Sequence, residues 1–324
     1  MPKSESKRRY RITNWAEYNR SLIERGNLTI WIDDEAAKKW LAPKEKGKNG
    51  RPKTYSDEAI LIALTLRVVF KLPLRALEGF LKSVIILMQL ALPVPSYSQI
   101  CRRAGSLGKE LKKLSRKRPT DVVFDSTGLK VYGEGEWKVR THGVSKRRTW
   151  RKLHLAIDPS SGEILVAELT DNSKGDAQVA EGMMGKIHGN VQRVYGDGAY
   201  DSLELRKKIA AKGADPKIPP PRNAVQGDPV DEATRKRNEA ISAIKGFGGD
   251  DEARALWKKL EGYHTRSLVE TTMFRLKTIF DGNLRSRTWE NQRAEAMVKC
   301  LVLNRMTRLG MPVGYWKEVL EATG

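Results

Sequence analysis

The chain has 324 residues, enough to bury one sizeable core with a smaller unit beside it, and 40 % of them are hydrophobic, which excludes a disordered chain. Sixty Lys and Arg against 39 Asp and Glu leave a net charge of +21, a balance that calls for an anionic partner, nucleic acid first. The best apolar run, Val84 to Leu92, is far too short for a membrane span, so no membrane partner is expected.

The charge is lopsided. Residues 1–120 hold 26 Lys and Arg against 11 Asp and Glu, so most of the excess sits in the N-terminal third, as a DNA-docking unit would place it. Cys101 and Cys300 are far apart and lack metal-ligand spacing. They read as reduced residues of a cytoplasmic protein. Met1 to Tyr10 is polar and basic with no apolar stretch, which agrees with that location.

Residues 1–55 are polar, interrupted by Gly and Pro, and end in the basic stretch Lys44 to Lys53; they read as an arm or linker. A helical DNA-binding unit is expected over 56–119. Its first helix opens at Ser56-Asp57-Glu58 and runs to Val69, and its second spans Leu74 to about Leu90. Leu92-Pro-Val-Pro95 ends the second, because proline cannot continue the ladder. The third starts at Ser96, where Ser96 and Gln99 have the spacing of a capping box. It carries Arg102 and Arg103, and Lys112, Lys113, Arg116, Lys117 and Arg118 follow. Two helices, a turn and a basic helix suggest a helix-turn-helix-like unit whose last helix enters the major groove. A plain helical bundle is the alternative.

From residue 120 the pattern becomes α/β. Strands are expected at 121–126, 152–158 and 163–170, the last two as a hairpin about Pro159 to Gly162. A helix from Asp176 to Ile187, a strand at 192–196, a helix from Leu203 to Lys212 and an edge strand at 216–219 follow. The order β-β-β-α-β-α-β implies one mixed sheet with flanking helices. This unit covers 120–310, with an insertion at about 221–260 and helix again from Gly262 to about Arg308; 311–324 reads as a C-terminal tail.

Three acids fall at strand ends or on the late helix: Asp125, Asp197 and Glu270. Ends of neighbouring strands converge in such a sheet, and a crossing helix can add a third carboxylate. Hard divalent ions take carboxylate oxygens, and two such ions can stabilise both the attacking and the leaving oxygen of a phosphoryl displacement. Gly196 and Gly198 flank Asp197 and would let a DNA backbone approach. Tyr263, Arg266, Glu270 and Lys277 share a broad face if all lie on one helix. That face suits a phosphodiester, with Arg and Lys on phosphate and Tyr bonding phosphate or stacking on a base. Asp158, Asp171 and Asp201 are spare carboxylates nearby, Asp201 being the best placed to support the others. Trp257 could stack on a displaced base or pack a helix, and His142 and His154 suit DNA contact or core packing better than metal.

The spacing Y-x2-R-x3-E-x6-K over Tyr263, Arg266, Glu270 and Lys277 resembles the C-terminal signature of a large group of bacterial insertion-sequence transposases. The segments 122–128 and 196–200 resemble that group's two aspartate blocks, with gaps of 72 and 73 residues between successive acids. The basic segment Trp137 to Asp158 and the stretch Arg75 to Arg103 are similar to the insertion-sequence-five family, so the resemblance spans roughly residues 50–310. It implies a ribonuclease-H-like α/β fold behind a helix-turn-helix-like domain. Asp125, Asp197 and Glu270 would be catalytic and hold two Mg²⁺, for which Mn²⁺ could substitute. Water would nick the transposon end, and the freed 3′-hydroxyl would attack target DNA. Tyr263, Arg266 and Lys277 would hold the end, with Arg102, Arg103, Lys146, Arg147 and Arg148 as further DNA contacts. The partners would be double-stranded DNA and at least a second copy of the chain, synapsing two ends.

Rival readings are a non-catalytic DNA-binding regulator, a stand-alone ribonuclease-H-like nuclease, and a phosphatase built on the strand-end Asp125. The regulator has no use for three acids, the nuclease leaves the tetrad unexplained, and the phosphatase needs an Asp where this chain has Thr127.

Overall fold

The computed structural model describes residues 7–32, 34–43, 53–111, 114–131 and 150–319. A strand, β1 (Lys7–Ile12), and three helices, α1 (Trp15–Glu24), α2 (Leu28–Trp31) and α3 (Asp34–Lys38), occupy much of the segment expected as an arm. Two tryptophans hold that segment down. Trp31 and Trp40 are buried, and their indole N–H groups donate to the carbonyls of Arg25 and Pro93 at 3.1 and 2.8 Å. Each puts a large apolar ring in the core with its one polar atom satisfied, which outweighs the polar composition around it.

Ser56 accepts from the Ala59 N–H and opens α4 (Asp57–Val69). α5 (Leu74–Leu87) follows, and α6 (Tyr97–Glu110) starts with the expected capping box between Ser96 and Gln99. Then come β2 (Asp121–Val131), β3 (Trp150–Asp158), β4 (Glu163–Thr170), α7 (Asp176–Met184), β5 (Arg193–Tyr195), α8 (Leu203–Ala210) and β6 (Asp215–Lys217). The insertion is a pair of helices, α9 (Glu232–Gly246) and α10 (Asp251–Leu260). α11 (Ser267–Phe280), β7 (Asn283–Leu284), α12 (Trp289–Leu309) and β8 (Gly314–Val319) complete the described chain. β8 pairs antiparallel with β1, Tyr315 opposite Arg11, so residues 314–319 of the expected tail form a strand.

The expected order β-β-β-α-β-α-β is the observed one. Among the described residues the main sheet runs β4-β3-β2-β5-β6, with β7 pairing beyond β5 along β2. β4, β3 and β2 are antiparallel neighbours, whereas β5 is parallel to β2 and β6 parallel to β5. This is the ribonuclease-H-like arrangement: a meander followed by parallel strands that arrive through helices, each crossover packing its helix back onto the sheet.

Alternation along the strands assigns the two faces. Val122, Phe124, Ala156 and Val194 meet Met183, Met184, Leu205 and Ile209 of α7 and α8. Val123, Leu153, Leu155, Ile157 and Tyr195 belong to a second cluster with Val269, Met273 and Leu276 of α11 and with α12. That cluster continues without a break into Leu66, Leu77, Leu81, Ile100 and Leu107, so α4, α5 and α6 share a core with one face of the sheet. α6 lies hard against α12. A Cβ on Gly108 would stand 2.7 Å from the Ala294 Cα, a distance real side chains do not tolerate.

Candidate active site

Register brings the two aspartates together. Val123 of β2 lies beside Tyr195 of β5 in a parallel pair. Two residues further on, Asp125 is still in β2 while Asp197 has just left β5, and both carboxylates reach the Arg266 guanidinium. Asp125 remains inside β2, opposite Leu155, and its Oδ1 accepts from the Ser126 N–H at 2.8 Å. Asp197 is past the end of β5, where it caps the one-turn 3-10 helix Gly198–Tyr200 and accepts from the Ala199 N–H at 2.8 Å. Gly196 serves the chain itself rather than an approaching DNA backbone. A Cβ there would be 3.0 Å from the Tyr200 side chain, which fills the space.

The third acid comes from α11. Gly262, in the left-handed region at φ 63°, ends the direction of α10, and Tyr263–Arg266 form a 3-10 turn before α11 begins at Ser267. Tyr263 and Arg266 therefore precede the helix that carries Glu270 and Lys277, which corrects the expectation of a single helix. The turn draws Tyr263 inward, and its hydroxyl donates to the Gly196 carbonyl at 3.1 Å. Burial pushes the Tyr263 phenol up to about 12, so it stays neutral and a donor.

Arg266 is the centre of the constellation. Its Nη2 lies 3.1 Å from Asp125 Oδ2 and 3.7 Å from Asp197 Oδ2, and its Nη1 lies 2.7 Å from Glu270 Oε1. One guanidinium thus meets all three acids. Their exposure is graded: the side chains of Asp125, Asp197 and Glu270 are 14 %, 41 % and 59 % accessible. Burial raises the Asp125 pKa above the usual carboxylate range; the Ser126 N–H and Arg266 oppose that shift, and Asp197 and Glu270 reinforce it. The Arg266 Nε is buried with no hydrogen-bond partner. Lys277 is exposed and pairs with no acid among the described residues.

The donor set is three carboxylates without histidine or cysteine, which fits a hard divalent cation. Among the described residues no group of three His, Cys, Asp or Glu stands close enough to hold a metal ion as arranged, because the acids are spread around Arg266. Chemically, the site gathers negative charge on an open surface suited to a polymer. A cavity of about 780 Å³ lies at the other end of the strands among Arg116, Arg118, His188 and Asn190.

The other residues singled out in the sequence take varied places. Arg102 is exposed on α6, with its Nε donating to the Ser98 carbonyl at 3.3 Å. Arg103 is held within the protein, donating to the Tyr55 carbonyl and pairing with Asp57. Lys146, Arg147, Arg148 and His142 lie outside the described residues. Trp257 is buried among Ala240, Ile244 and Ala253, where it packs α9 on α10 and cannot meet a base. His154 is buried, 2.9 Å from Thr170 Oγ1 and 3.2 Å from Asp176 Oδ1. Asp158 is used by the Ser160 and Ser161 turn, and Asp171 by the Ser173 turn.

Asp201 is bonded to two arginines rather than to the three acids, partners the sequence did not reveal. It is 1 % exposed and accepts from Arg206 Nε at 2.7 Å and from Arg237 Nε at 3.0 Å. Arg206 comes from α8 and Arg237 from α9, so the insertion is tied to the turn that carries Asp197. Nothing in local spacing announces a contact between residues 201 and 237.

Among the described residues no helix is long and apolar enough to cross a membrane. A sequence profile of the family described as "Transposase DDE domain" matches residues 116–305, more than half of the chain, and a second profile of the same description matches residues 23–134. Among solved structures the chain is similar to a piggyBac transposase synaptic complex with hairpin DNA, at 11 % identity and TM-score 0.41, covering 92 % of this chain and 76 % of that one. It is also similar to a Drosophila P element transposase strand transfer complex, at 11 % identity and TM-score 0.31, covering 85 % of each chain. On the sequence match, the chain belongs to the DDE-domain transposases and is a DNA-cleaving, strand-transferring enzyme.

Proposed function

We propose that this transposase acts on the terminal inverted repeats of an insertion sequence of the insertion-sequence-five family, as a cytoplasmic, nucleoid-associated enzyme. The observation that carries the reading is the meeting of Asp125 from within β2, Asp197 from just past β5 and Glu270 from α11 around one guanidinium.

In this reading the three acids hold two Mg²⁺, or Mn²⁺ in its place. Bound there, the ions supply charge stabilisation to the attacking and leaving oxygens of an in-line displacement at phosphorus. Asp125, the most buried, would hold metal at the deep end of the site, and Glu270, the most exposed, would hold it from the solvent side. Arg266 has no spare acid once the carboxylates turn to metal, and its fork then suits a phosphate. Lys277 adds a point charge to the backbone. Tyr263 fixes the Asp197 turn by its bond to the Gly196 carbonyl.

The first step is attack of water on the phosphodiester at the transposon end, which frees a 3′-hydroxyl. In the second, that 3′-oxygen bonds to a target phosphorus as the target's own 3′-oxygen leaves, so phosphodiesters are exchanged without a protein–DNA bond. Double-stranded DNA is the partner in both steps. A homodimer or larger assembly brings two ends together.

The test is incubation of the protein with Mg²⁺ and a duplex carrying its element's terminal repeat, beside Glu270→Ala. Cleavage at the repeat boundary by the wild type alone supports the reading. Specific binding without cleavage, in Mg²⁺ or Mn²⁺, points instead to a non-catalytic DNA-binding protein.

A further inference from the structure

α11 divides cleanly into two faces. Val269, Thr272, Met273, Leu276 and Phe280 are buried toward the sheet, whereas Glu270 and Lys277 are exposed. Two large apolar side chains break that division, Leu268 in the first turn, 43 % exposed, and the more exposed Phe274. Phe274 stands on the outer side and is 70 % exposed. It is four residues after Glu270 and three before Lys277, so these three side chains are neighbours on one stripe of the helix. Single exposed apolar residues are ordinary on protein surfaces. What distinguishes Phe274 is its position between an acid of the candidate site and a cation that pairs with no acid among the described residues.

We propose that Phe274 stacks on a nucleobase next to the phosphate held at Asp125, Asp197 and Glu270. The inference rests on the DNA-end reading above and names a contact within it.

Distance favours a base as the occupant. Four residues of α-helix advance about 6 Å, and successive nucleotides rise ~3.4 Å along a strand. A base one or two steps from the phosphate at Glu270 therefore comes over the Phe274 ring. Chemistry favours it as well. A base has an apolar π-face for the ring and a charged backbone for Lys277, so both neighbours are used together. A second copy of the chain fits less well. It would bury Glu270 and Lys277 beside the ring and bring together two molecules of net charge +21. Trp257 is buried in the insertion and cannot take this role.

The experiment compares wild type, Phe274→Ala and Phe274→Trp on two Mg²⁺-containing duplexes that carry the element's terminal repeat. One duplex is intact, and in the other each base flanking the cleavage boundary is removed in turn to leave an abasic site. On the intact duplex Phe274→Ala is expected to cleave roughly five- to a hundredfold more slowly, the range that loss of one stacked base covers. Phe274→Trp is expected to retain the wild-type rate within about threefold. On the duplex lacking the stacked base, wild type and Phe274→Ala should converge.

Equal rates for wild type and Phe274→Ala on intact DNA, or a penalty that persists on every abasic duplex, would overturn the stacking contact. So would a change in oligomeric state of Phe274→Ala, read by light scattering without DNA, since the ring would then belong to a protein contact. Absence of cleavage by the wild type sinks the DNA-end reading itself, a different failure from loss of the Phe274 effect while the wild type cleaves.

Discussion

Arg266 donates from Nη2 to the Asp125 carboxylate at 3.1 Å, and the rest of its guanidinium reaches Asp197 and Glu270. Three carboxylates this close repel one another, and the guanidinium offsets that repulsion where it is partly shielded from water.

Replacing Arg266 by Gln removes the counter-charge and leaves the acids in place. In chelator at neutral pH, Arg266→Gln should be less stable than wild type by about 1–3 kcal/mol, the usual cost of losing hydrogen bonds to charged groups. Mn²⁺ should then raise its melting temperature more than it raises that of the wild type, because the ion takes over an unmet role. Thermal unfolding with and without Mn²⁺ decides it, and equal shifts for the two proteins would contradict the account.

Asp125 bears on pH and stability with the opposite sign. Its folded pKa is raised by burial, despite Arg266. The folded state then holds a proton that the unfolded state has already lost, so stability falls as pH rises from the ordinary carboxylate pKa through the raised one. Burial thus makes the charged form of Asp125 a cost to the fold. Asp125→Asn should abolish cleavage and yet raise the metal-free melting temperature by about 2–4 °C, the shift that ~1 kcal/mol produces in a domain of this size. A lower melting temperature for the variant would show that the Arg266 pair outweighs the burial.

His154 gives a second pH signature, away from the acids. Burial lowers its pKa to about 4, against the pull of Asp176, so it is neutral in the folded protein at physiological pH. The unfolded chain takes up this proton from pH 6.5 downward while the folded one refuses it. Its contribution is therefore full above pH 6.5 and is lost as pH falls toward 4, on the order of 3 kcal/mol in total. Urea unfolding at pH 7, 6, 5 and 4.5 should show this loss in the wild type and a shallower one in His154→Gln. Parallel curves would mean that His154 is not buried neutral.

Asp201 and Arg206 are buried as an ion pair, 1 % and 0 % exposed, with Arg237 as a third member. Removing the acid leaves a guanidinium buried without its charge partner, a loss of about 3–5 kcal/mol. Asp201→Ala should lose that much in denaturant unfolding, and Arg237→Ala, at the more exposed member, should lose less. If Arg237→Ala is folded and stable but cleaves poorly, the insertion matters for holding the Asp197 turn. If both variants unfold like wild type, the network has no structural weight.

Much of this molecule was decided along the chain. The Ser96–Gln99 capping box, the β4 strand over 163–170 and the three acids with their surrounding motif depend on neighbours within a few residues, where periodicity, caps and turn residues act directly. The lopsided charge fixed the class of partner. Other features needed the fold, because they join residues distant in sequence. The polar segment expected as an arm folds through two buried indoles, one bonded to Pro93, 53 residues away. The unit of α4, α5 and α6 shares the core of the sheet because Gly105 and Gly108 let α6 lie close to α12. Arg103 spends its charge on Asp57, and Trp257 spends its ring on the insertion. Sequence by itself determined which acids were available and what they could bind. Tertiary structure alone laid β5 beside β2 so that Asp125 and Asp197 reach one guanidinium, swung Glu270 to meet them on a helix 73 residues past Asp197, and placed Arg266 among the three, since charge at that range is arranged by packing and not by spacing.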